Sequence, residues 1–380
     1  MGFQRLEGWL ISRGKLWIAR KKFPSIQIPV TFAVENRLRH FICKGDFVKK
    51  TFVAVVILML ALSAAQAQNL TGAGATFPYP IYSKWFSEYS AAHPGVQINY
   101  QSIGSGGGIR QVTAGTVDFG ASDGPMTDEQ LAASKVKLIH IPTVLGADVP
   151  AFNVSGVDDL KFSSDVLADI FLGKIVTWAD PRIAKDNPGV KLQDQKIIVV
   201  HRSDASGTTY IWTDYLSKVS KEWAGGPGKG TAPAWPVGVG AKGNEGVSGL
   251  IRQIPGSIGY IELIYALQNH IAFGSVKNPA GNYIKASIDG VTEAAASVKQ
   301  MPADYRVSIT NAPGANAYPI SSFTWMLIPT HPTDAAKEKV LKDMLSWIVN
   351  SGEGEVSSLS YAPLPKSVQE KVLKTIYALP

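Results

Sequence analysis

The chain has 380 residues, of which 45% are hydrophobic and 18% are charged. This composition is typical of a globular protein with a substantial core, and the length predicts two or three folded units. The net charge of +7 is concentrated in residues 1–67, which carry 11 Lys and Arg against 3 Asp and Glu. The remainder has 26 basic and 27 acidic residues, so its balance does not favour a nucleic-acid partner and we expect none.

Residues 48–67 have the pattern of a secretory signal peptide. Lys49 and Lys50 precede an apolar run at 51–61, and Ala65-Gln66-Ala67 is the small-x-small pattern of a cleavage site. The run is shorter than the roughly 20 apolar residues that span a bilayer. We therefore expect export, with cleavage between Ala67 and Gln68.

Residues 1–47 are longer than the charged segment that usually precedes such an apolar run. Either Val48 is the true initiator, or these residues form a genuine cytoplasmic or membrane-surface arm. The only cysteine, Cys43, precedes the apolar run. The mature chain therefore has no thiol for a disulfide, a lipid anchor or a thiolate metal site.

From residue 68 onward, strand patterns alternate with helix patterns, which predicts an α/β fold. Helical spacing of apolar residues indicates helices at 81–89, 109–114, 165–171 and 340–348. Strand patterns lie at 96–100, 136–144, 150–154 and 196–200. Residues 224–234 are rich in Gly and Pro, which predicts an exposed loop.

Three stretches place Gly and small hydroxyl residues directly before a helical pattern: residues 71–77, 103–108 and 202–208. A helix start has unpaired backbone N–H groups and about half a positive charge. Glycine lets those groups approach a bound oxyanion. The third stretch follows a strand, and open α/β sheets bind ligands at the carboxyl ends of their strands. Three such starts predict one tetrahedral anion held from several sides.

The third stretch is the strongest of these motifs. Arg202 can donate two charge-assisted hydrogen bonds to an oxyanion, and Asp204 can hold the guanidinium in place. Ser206, Gly207 and Thr208 supply hydroxyls and backbone N–H groups at the helix start. The alternative is an ordinary N-cap beside a surface salt bridge.

Asp123 indicates which anion is bound. A carboxylate facing an anion costs free energy unless a proton lies between them, and near neutral pH phosphate carries a proton whereas sulfate does not. A site that pairs with one hydroxyl can reject the analogue lacking it by roughly 10⁴ or more. Asp123 would therefore favour phosphate over sulfate. The alternative is a turn aspartate that caps the segment beginning at Met126.

Catalytic and metal-binding patterns are weak. Lys229 lies in a Gly-rich segment, but Gly230 follows it and no strand precedes it. The histidines lack metal-ligand spacing. We expect no catalytic residue, no metal and no cofactor.

Several motifs resemble the periplasmic phosphate-binding proteins of bacterial phosphate ABC transporters, the PstS family, along nearly the whole mature chain. They are residues 70–78 (LTGAGATFP), 115–123 (GTVDFGASD), 171–175 (FLGKI), 235–240 (WPVGVG) and 256–262 (GSIGYIE). The resemblance implies a type II periplasmic binding fold, in which two α/β lobes are joined by a two-strand hinge and the ligand lies between them. Lobe I would comprise residues 68–145 and 320–380 and lobe II residues 146–319, with hinge crossings at 143–146 and 319–322.

The resemblance also implies the phosphate ligands. They are Thr76, Phe77, Ser105, Asp123, Arg202, Asp204, Ser206, Gly207 and Thr208. The chain departs from the family at Gly106, where many relatives have a second serine.

We expect a periplasmic, monomeric receptor that binds inorganic phosphate and delivers it to an inner-membrane ABC permease. One rival is a secreted phosphatase with Ser206 or Ser105 as nucleophile, although no general base or metal pair is evident. Another is a sulfate or molybdate receptor, for which Asp123 is a handicap. An adhesin or matrix protein would not need a convergent anion site.

Overall fold

The computed structural model describes residues 11–12, 15–16, 68–331 and 334–380. The chain divides into two units, residues 1–65 and residues 66–380. In the first, β1 (Ile11–Ser12) pairs antiparallel with β2 (Lys15–Leu16). The predicted signal peptide, the alternative start and Cys43 lie outside the described residues. In the described part of the chain, no helix combines the length and apolarity needed to cross a membrane.

The second unit is built on a nine-stranded mixed sheet. Its path is β4-β3-β5-β14-β6-β10-β8-β9, and β11 pairs with β6. A smaller sheet has the order β13-β12-β7. The strands are β3 (Gln68–Gly74), β4 (Val96–Ser102), β5 (Phe119–Ser122), β6 (Leu138–Phe152), β7 (Lys161–Phe162), β8 (Ile198–Arg202), β9 (Val239–Ala241), β10 (Ser257–Glu262), β11 (Ala272–Phe273), β12 (Ser275–Lys277), β13 (Tyr283–Ile284) and β14 (Ser321–Pro329).

Helices connect most of these strands. They are α1 (Tyr79–Ala92), α2 (Ser105–Ala114), α3 (Asp128–Ala132), α4 (Ser164–Phe171), α5 (Pro181–Asp186), α6 (Gly207–Val219), α7 (Lys221–Gly225), α8 (Gly243–Gln253), α9 (Leu263–Gln268), α10 (Ile288–Ala296), α11 (Ala335–Asn350) and α12 (Lys366–Tyr377). Short 3₁₀ helices follow α11 at Gly352–Gly354 and Val356–Leu359. The predicted alternation of strands and helices is confirmed.

The four predicted helices are present with extended ends. Helix α1 covers 81–89 and packs most of its aromatic residues into the core, whereas Tyr79 is exposed. Helix α4 has Ser163 as its N-cap residue. Helix α11 buries the predicted apolar stripe, including Leu341 and Met344. Helix α2 begins earlier than predicted, at Ser105, so its first turn contains the glycines of the second anion stretch.

Strands β6 and β14 occupy the middle of the sheet. They pair antiparallel from Ser321 opposite Ala147 to Pro329 opposite Leu138. Strand β14 also pairs with β5, and the last part of β6 pairs with β10. Almost every residue of both strands is buried, as is typical of central strands covered on both faces. These two strands therefore link the β3-β4-β5 and β8-β9-β10 parts of the sheet.

The prediction of two separate strands at 136–144 and 150–154 is wrong, because both belong to β6. The intervening residues are buried on both faces, so they show no alternation of apolar and polar side chains. The pairing with β14 shifts register between Thr324 and Trp325, where Thr143 has no counterpart. Such a bulge re-aims neighbouring side chains; Thr324 is one of those that reach the site described next.

Candidate anion-binding site

The predicted site residues lie where strands end or helices begin. Thr76 and Phe77 follow β3, Asp123 follows β5, and Ser105 is the first residue of α2. Because β3 and β5 are parallel, their carboxyl ends lie at the same edge of the sheet. Residues 202–208 run from the end of β8 into α6. Hydrogen bonds connect these segments into one buried cluster.

Ser105 links the starts of α2 and α6. Its Oγ accepts hydrogen bonds from the backbone N of Gly207, at 3.0 Å, and from the backbone N of Asp123, at 3.3 Å. A Cβ on Gly207 would lie 2.5 Å from both Ser105 Oγ and Asp123 Oδ2. Glycine is therefore needed at position 207 because the two helix starts approach so closely.

Arg202 is held in a fixed orientation. Its Nε and Nη2 donate to the two carboxylate oxygens of Asp204 at 2.8 and 2.6 Å, and its Nη1 donates to Thr208 Oγ1 at 3.1 Å. The guanidinium is buried, with Arg202 only 3% exposed, so the alternative of a surface salt bridge is wrong. Burial lowers the pKa of Arg202, but the pairing with Asp204 outweighs it and the pKa is raised. Arg202 therefore keeps its positive charge inside the cluster.

Asp123 is 1% exposed. Its Oδ1 accepts a hydrogen bond from Thr324 Oγ1 at 2.7 Å, and its Oδ2 lies 3.5 Å from Ser105 Oγ. Burial raises its pKa to about 7, against the opposing effects of Thr324 and Arg202. The carboxyl does not cap the segment at Met126, because Thr127 caps α3. Asp123 can thus gain or lose a proton near neutral pH.

Two tyrosines from distant segments fix the loop after β3. Tyr265 donates to the carbonyl oxygen of Thr76 and Tyr361 to that of Phe77, each at 2.6 Å. Both hydroxyls are buried, and burial raises the pKa of each tyrosine well above its usual value. The tyrosines therefore remain donors, which hold the two carbonyls in place.

Ser206 caps α6 by accepting a hydrogen bond from the backbone N of Thr209 at 3.1 Å. The structure thus brings together all nine residues that the sequence analysis selected. Sequence reasoning missed Thr324 and Asn244, whose side chains enter the same cluster. Asn244 follows a positive-φ glycine at the start of α8. The pattern of strand, glycine and helix start was therefore available as a signal for Asn244.

Two further acids are buried near the site. Asp148 on β6 lies opposite Glu262 on β10, and both are fully buried. Burial and the charge of Asp123 raise the pKa of each well above its usual value. Among the described residues, neither carboxyl oxygen of Asp148 has a hydrogen-bond partner. The neutral form is therefore favoured for both acids, which limits the negative charge around Arg202.

The cluster combines one arginine, helix starts and hydroxyls with the carboxyl of Asp123, whereas the carboxylate of Asp204 is paired with Arg202. This arrangement suits a tetrahedral oxyanion that carries one proton. Among residues 68–331 and 334–380, no group of three or more His, Cys, Asp or Glu side chains is placed to share a metal ion.

Comparison with known proteins identifies the family. The model of the PBP superfamily domain matches residues 61–351. The phosphate-binding protein PstS of Pasteurella multocida is 44% identical over 327 residues, which cover 85% of this chain and 94% of that protein. The protein of the same name from Haemophilus influenzae is 42% identical over 316 residues, covering 82% of this chain and 94% of its own.

Solved structures share the fold. A putative phosphate ABC transporter substrate-binding protein from Clostridium perfringens, with bound phosphate, superposes with a TM-score of 0.59 at 17% identity, covering 78% of this chain and 100% of its own. The phosphate-binding protein of Stenotrophomonas maltophilia has a TM-score of 0.61 at 19% identity, covering 81% and 94%. These likenesses confirm the expected α/β fold of periplasmic binding proteins. With the family model and the close relatives, they establish that the chain belongs to the PBP superfamily and, within it, to the PstS family.

Proposed function

We propose that this protein binds inorganic phosphate in the buried cluster and delivers it to an ABC permease for import. The observation that carries the proposal is the placement of one protonatable acceptor, Asp123, among donors: Arg202, the start of α6 and the hydroxyls of Ser105 and Thr208. The relatives from Pasteurella multocida and Haemophilus influenzae are named as phosphate-binding proteins, which supports the same ligand. The nine residues named above would provide the contacts.

We propose that the protein has two lobes that close on the ligand. Residues 68–145 and 320–380 would form lobe I and residues 146–319 lobe II, joined by β6 and β14. The contact between Ser105 and Gly207 would then cross the cleft, and it supports a closed form as the state described here. A ligand that binds only between closed lobes shifts the population toward them. Small-angle scattering should therefore show compaction when phosphate is added.

The proposed location is the periplasm. Export through a signal peptide at residues 48–67 would place the mature chain, from Gln68 onward, where it can meet an inner-membrane permease. We propose that it acts as a monomer. N-terminal sequencing of the secreted protein tests the cleavage site, and a mature N-terminus upstream of Gln68 would contradict it.

The role of Asp123 predicts that the affinity for sulfate depends on pH. Because its pKa is about 7, Asp123 is ionised at pH 8 and repels sulfate. Below pH 7 it becomes protonated and can donate to sulfate, so sulfate affinity should rise as the pH falls to 5.5. Asp123→Asn should bind sulfate at both pH values, because the amide carries no charge.

Calorimetry of residues 68–380 with phosphate and sulfate at pH 8 and 5.5 measures these affinities. Asp128→Asn is the matched control, since Asp128 lies on the exposed helix α3; it should behave as the unaltered protein does. If Asp123→Asn still does not bind sulfate and its affinity for phosphate is unchanged, Asp123 does not distinguish the two anions by accepting a proton from phosphate. A chain that binds neither anion at either pH would refute the proposed function itself.

A secreted phosphatase remains the alternative to exclude by experiment. Ser105 Oγ accepts two backbone hydrogen bonds and Ser206 Oγ caps α6, so neither serine is paired with a histidine base in the described cluster. We expect no turnover of a chromogenic phosphate ester. Steady hydrolysis that is lost in Ser105→Ala or Ser206→Ala would favour the enzyme.

A further inference from the structure

Tyr210 lies about one turn beyond Gly207 on α6, at the edge of the buried cluster. A Cβ added to Gly124 would lie 2.8 Å from Cγ of the Tyr210 ring, and 3.1 Å from Cβ and Cδ1 of the same residue. Gly124 does not have a positive φ, so the ring, and not the conformation of the chain, requires glycine at this position. The ring therefore lies directly against the backbone of the residue that follows Asp123.

The contact between Tyr210 and Gly124 joins the two proposed lobes. Gly124 belongs to lobe I and Tyr210 to lobe II, so the ring and the backbone separate if the lobes open. Two hydrogen bonds fix the turn on the lobe I side. The backbone N of Gly124 donates to Ser122 Oγ at 3.3 Å, and the backbone N of Met126 donates to His140 Nε2 at 3.0 Å. The ring thus meets a fixed surface beside the anion cluster.

Lys229 and Asp214 hold the ring in place on the lobe II side. The ammonium of Lys229 lies 5.4 Å from the centroid of the Tyr210 ring and 3.2 Å from Asp214 Oδ1. Asp214 is buried, and its Oδ2 accepts hydrogen bonds from the hydroxyls of Ser308 and Thr310. Because a cation is attracted to the face of an aromatic ring, Lys229 connects the ring to a carboxylate whose own orientation is fixed.

The Gly-rich segment at 224–234 positions Lys229 beside α6. The backbone N of Gly230 donates to Thr213 Oγ1 at 3.1 Å, and Thr213 Oγ1 donates to the carbonyl oxygen of Gly230 at 3.0 Å. The carbonyl oxygen of Thr231 accepts from the backbone N of Ser206 at 2.9 Å. The segment is therefore fastened to α6 from the N-cap to the second turn, on the side where Lys229 can reach the ring.

We propose that Tyr210 is a positioning residue that keeps the cleft closed over the bound anion and so sets the lifetime of the complex. This proposal rests on the proposed function. Because the ring reaches Gly124 only when the lobes close, the contact does not assist the first encounter with the ligand. It stabilises the closed complex alone. Its loss therefore raises the dissociation rate and leaves the association rate unchanged.

Tyr210→Ala tests this role by removing the ring. Phosphate should dissociate about tenfold faster, as the truncation of a packed aromatic side chain at an interface implies, and the affinity should fall by the same factor. Tyr210→Phe keeps the ring and should stay within about twofold of the unaltered rate. Lys229→Met removes the charge above the ring and should dissociate about threefold faster.

Two measurements separate the rates. Protein loaded with radiolabelled phosphate, mixed rapidly with an excess of unlabelled phosphate, gives the dissociation rate. Calorimetry gives the dissociation constant, and the quotient of the two is the association rate. Urea unfolding of each variant without phosphate measures any general loss of stability.

Gly124→Ala tests the same contact from lobe I. Its Cβ would overlap the Tyr210 ring, so phosphate should again dissociate about tenfold faster. In the Tyr210→Ala background the added methyl group meets no ring, and it should change the dissociation rate by less than about twofold. A general loss of stability would not depend on the presence of the ring in this way.

Tyr377→Ala is the matched control, because Tyr377 is 62% exposed on α12, outside the cluster. Both of its rates should equal those of the unaltered protein. An unchanged dissociation rate in Tyr210→Ala, additive effects of Gly124→Ala and Tyr210→Ala, or a loss of affinity that lies in the association rate would each overturn the proposal. These results leave phosphate binding by the unaltered protein intact. An unaltered protein that binds no phosphate would instead refute the proposed function.

Discussion

The starts of α2 and α6 face each other across the site, but they are stabilised in different ways. At α6 the partners are local: Ser206 caps Thr209, and Arg202 pairs with Asp204 two residues away. At α2 the N-cap residue Gly104 offers no side-chain cap. The first side chain of α2, Ser105, instead pairs with the backbone of α6, 102 residues along the chain. The α6 start is therefore preorganised, whereas the α2 start is completed by its partner.

The starts of α2 and α6 also differ in their side chains: the α2 start has glycines where the α6 loop approaches it. A Cβ on Gly104 would lie 2.3 Å from Asp204 Oδ2, and a Cβ on Gly106 would lie 2.4 Å from the Cβ of Ala205. The backbone N of Gly106 also donates to the carbonyl oxygen of Ala205 at 2.9 Å. The α2 start thus lacks side chains where the α6 loop carries them, which gives a physical reason for glycine at position 106.

The largest expected effect comes from adding one methyl group where the starts meet. Gly207→Ala places a Cβ 2.5 Å from Ser105 Oγ and Asp123 Oδ2. Overpacking of this kind costs about 1–3 kcal/mol, so phosphate affinity measured by calorimetry should fall by up to about 100-fold. Gly225→Ala is the control, because no atom lies within 4 Å of its added Cβ. Undiminished affinity in Gly207→Ala would show that the contact is absent from the bound state.

A smaller effect is expected from variants that test the close contact between Gly106 and Ala205. Gly106→Ser should weaken phosphate binding by about tenfold, because its Cβ overlaps that of Ala205. Ala205→Gly removes the obstructing methyl group, so the double variant should recover most of the affinity. A double-mutant cycle measures the coupling, which we expect to be about 1 kcal/mol. Simple additivity would mean that the α2 start adapts without help from residue 205.

The smallest effect distinguishes local from distant stabilisation. Ser206→Ala removes a cap within α6 and should lower the free energy of unfolding, without phosphate, by about 1 kcal/mol. Ser105→Ala should cost less under the same conditions, because its 3.0 Å contact with Gly207 would be lost when the proposed lobes open, which leaves only the longer contact with the backbone N of Asp123. Urea denaturation of both variants gives the comparison. Equal losses would indicate that the α2 and α6 starts remain in contact without ligand.

The contrast between local partners at α6 and distant partners at α2 also explains which site residues could be predicted from the sequence. Arg202, Asp204 and Ser206 are close in the chain, so their joint role was visible as a motif. The stretch containing Ser105 was weak in isolation, because its partners are distant. Thr324 and Asn244 were missed for the same reason: their contacts with Asp123 and Thr76 span 201 and 168 residues. Periodicity gave the alternating fold, but it failed within β6, where burial on both faces removes the pattern.

The meeting of α2 and α6 has an electrostatic consequence for the ligand-free molecule. Each helix points its amino end into the same small volume, and each end carries about half a positive charge. Like charges at this separation repel each other, and the carboxyl of Asp123, which lies between the two starts, offsets part of that repulsion when it is ionised. An anion between them converts that repulsion into attraction on both sides. The ligand would then act as an electrostatic bridge, and its departure would push the helices apart.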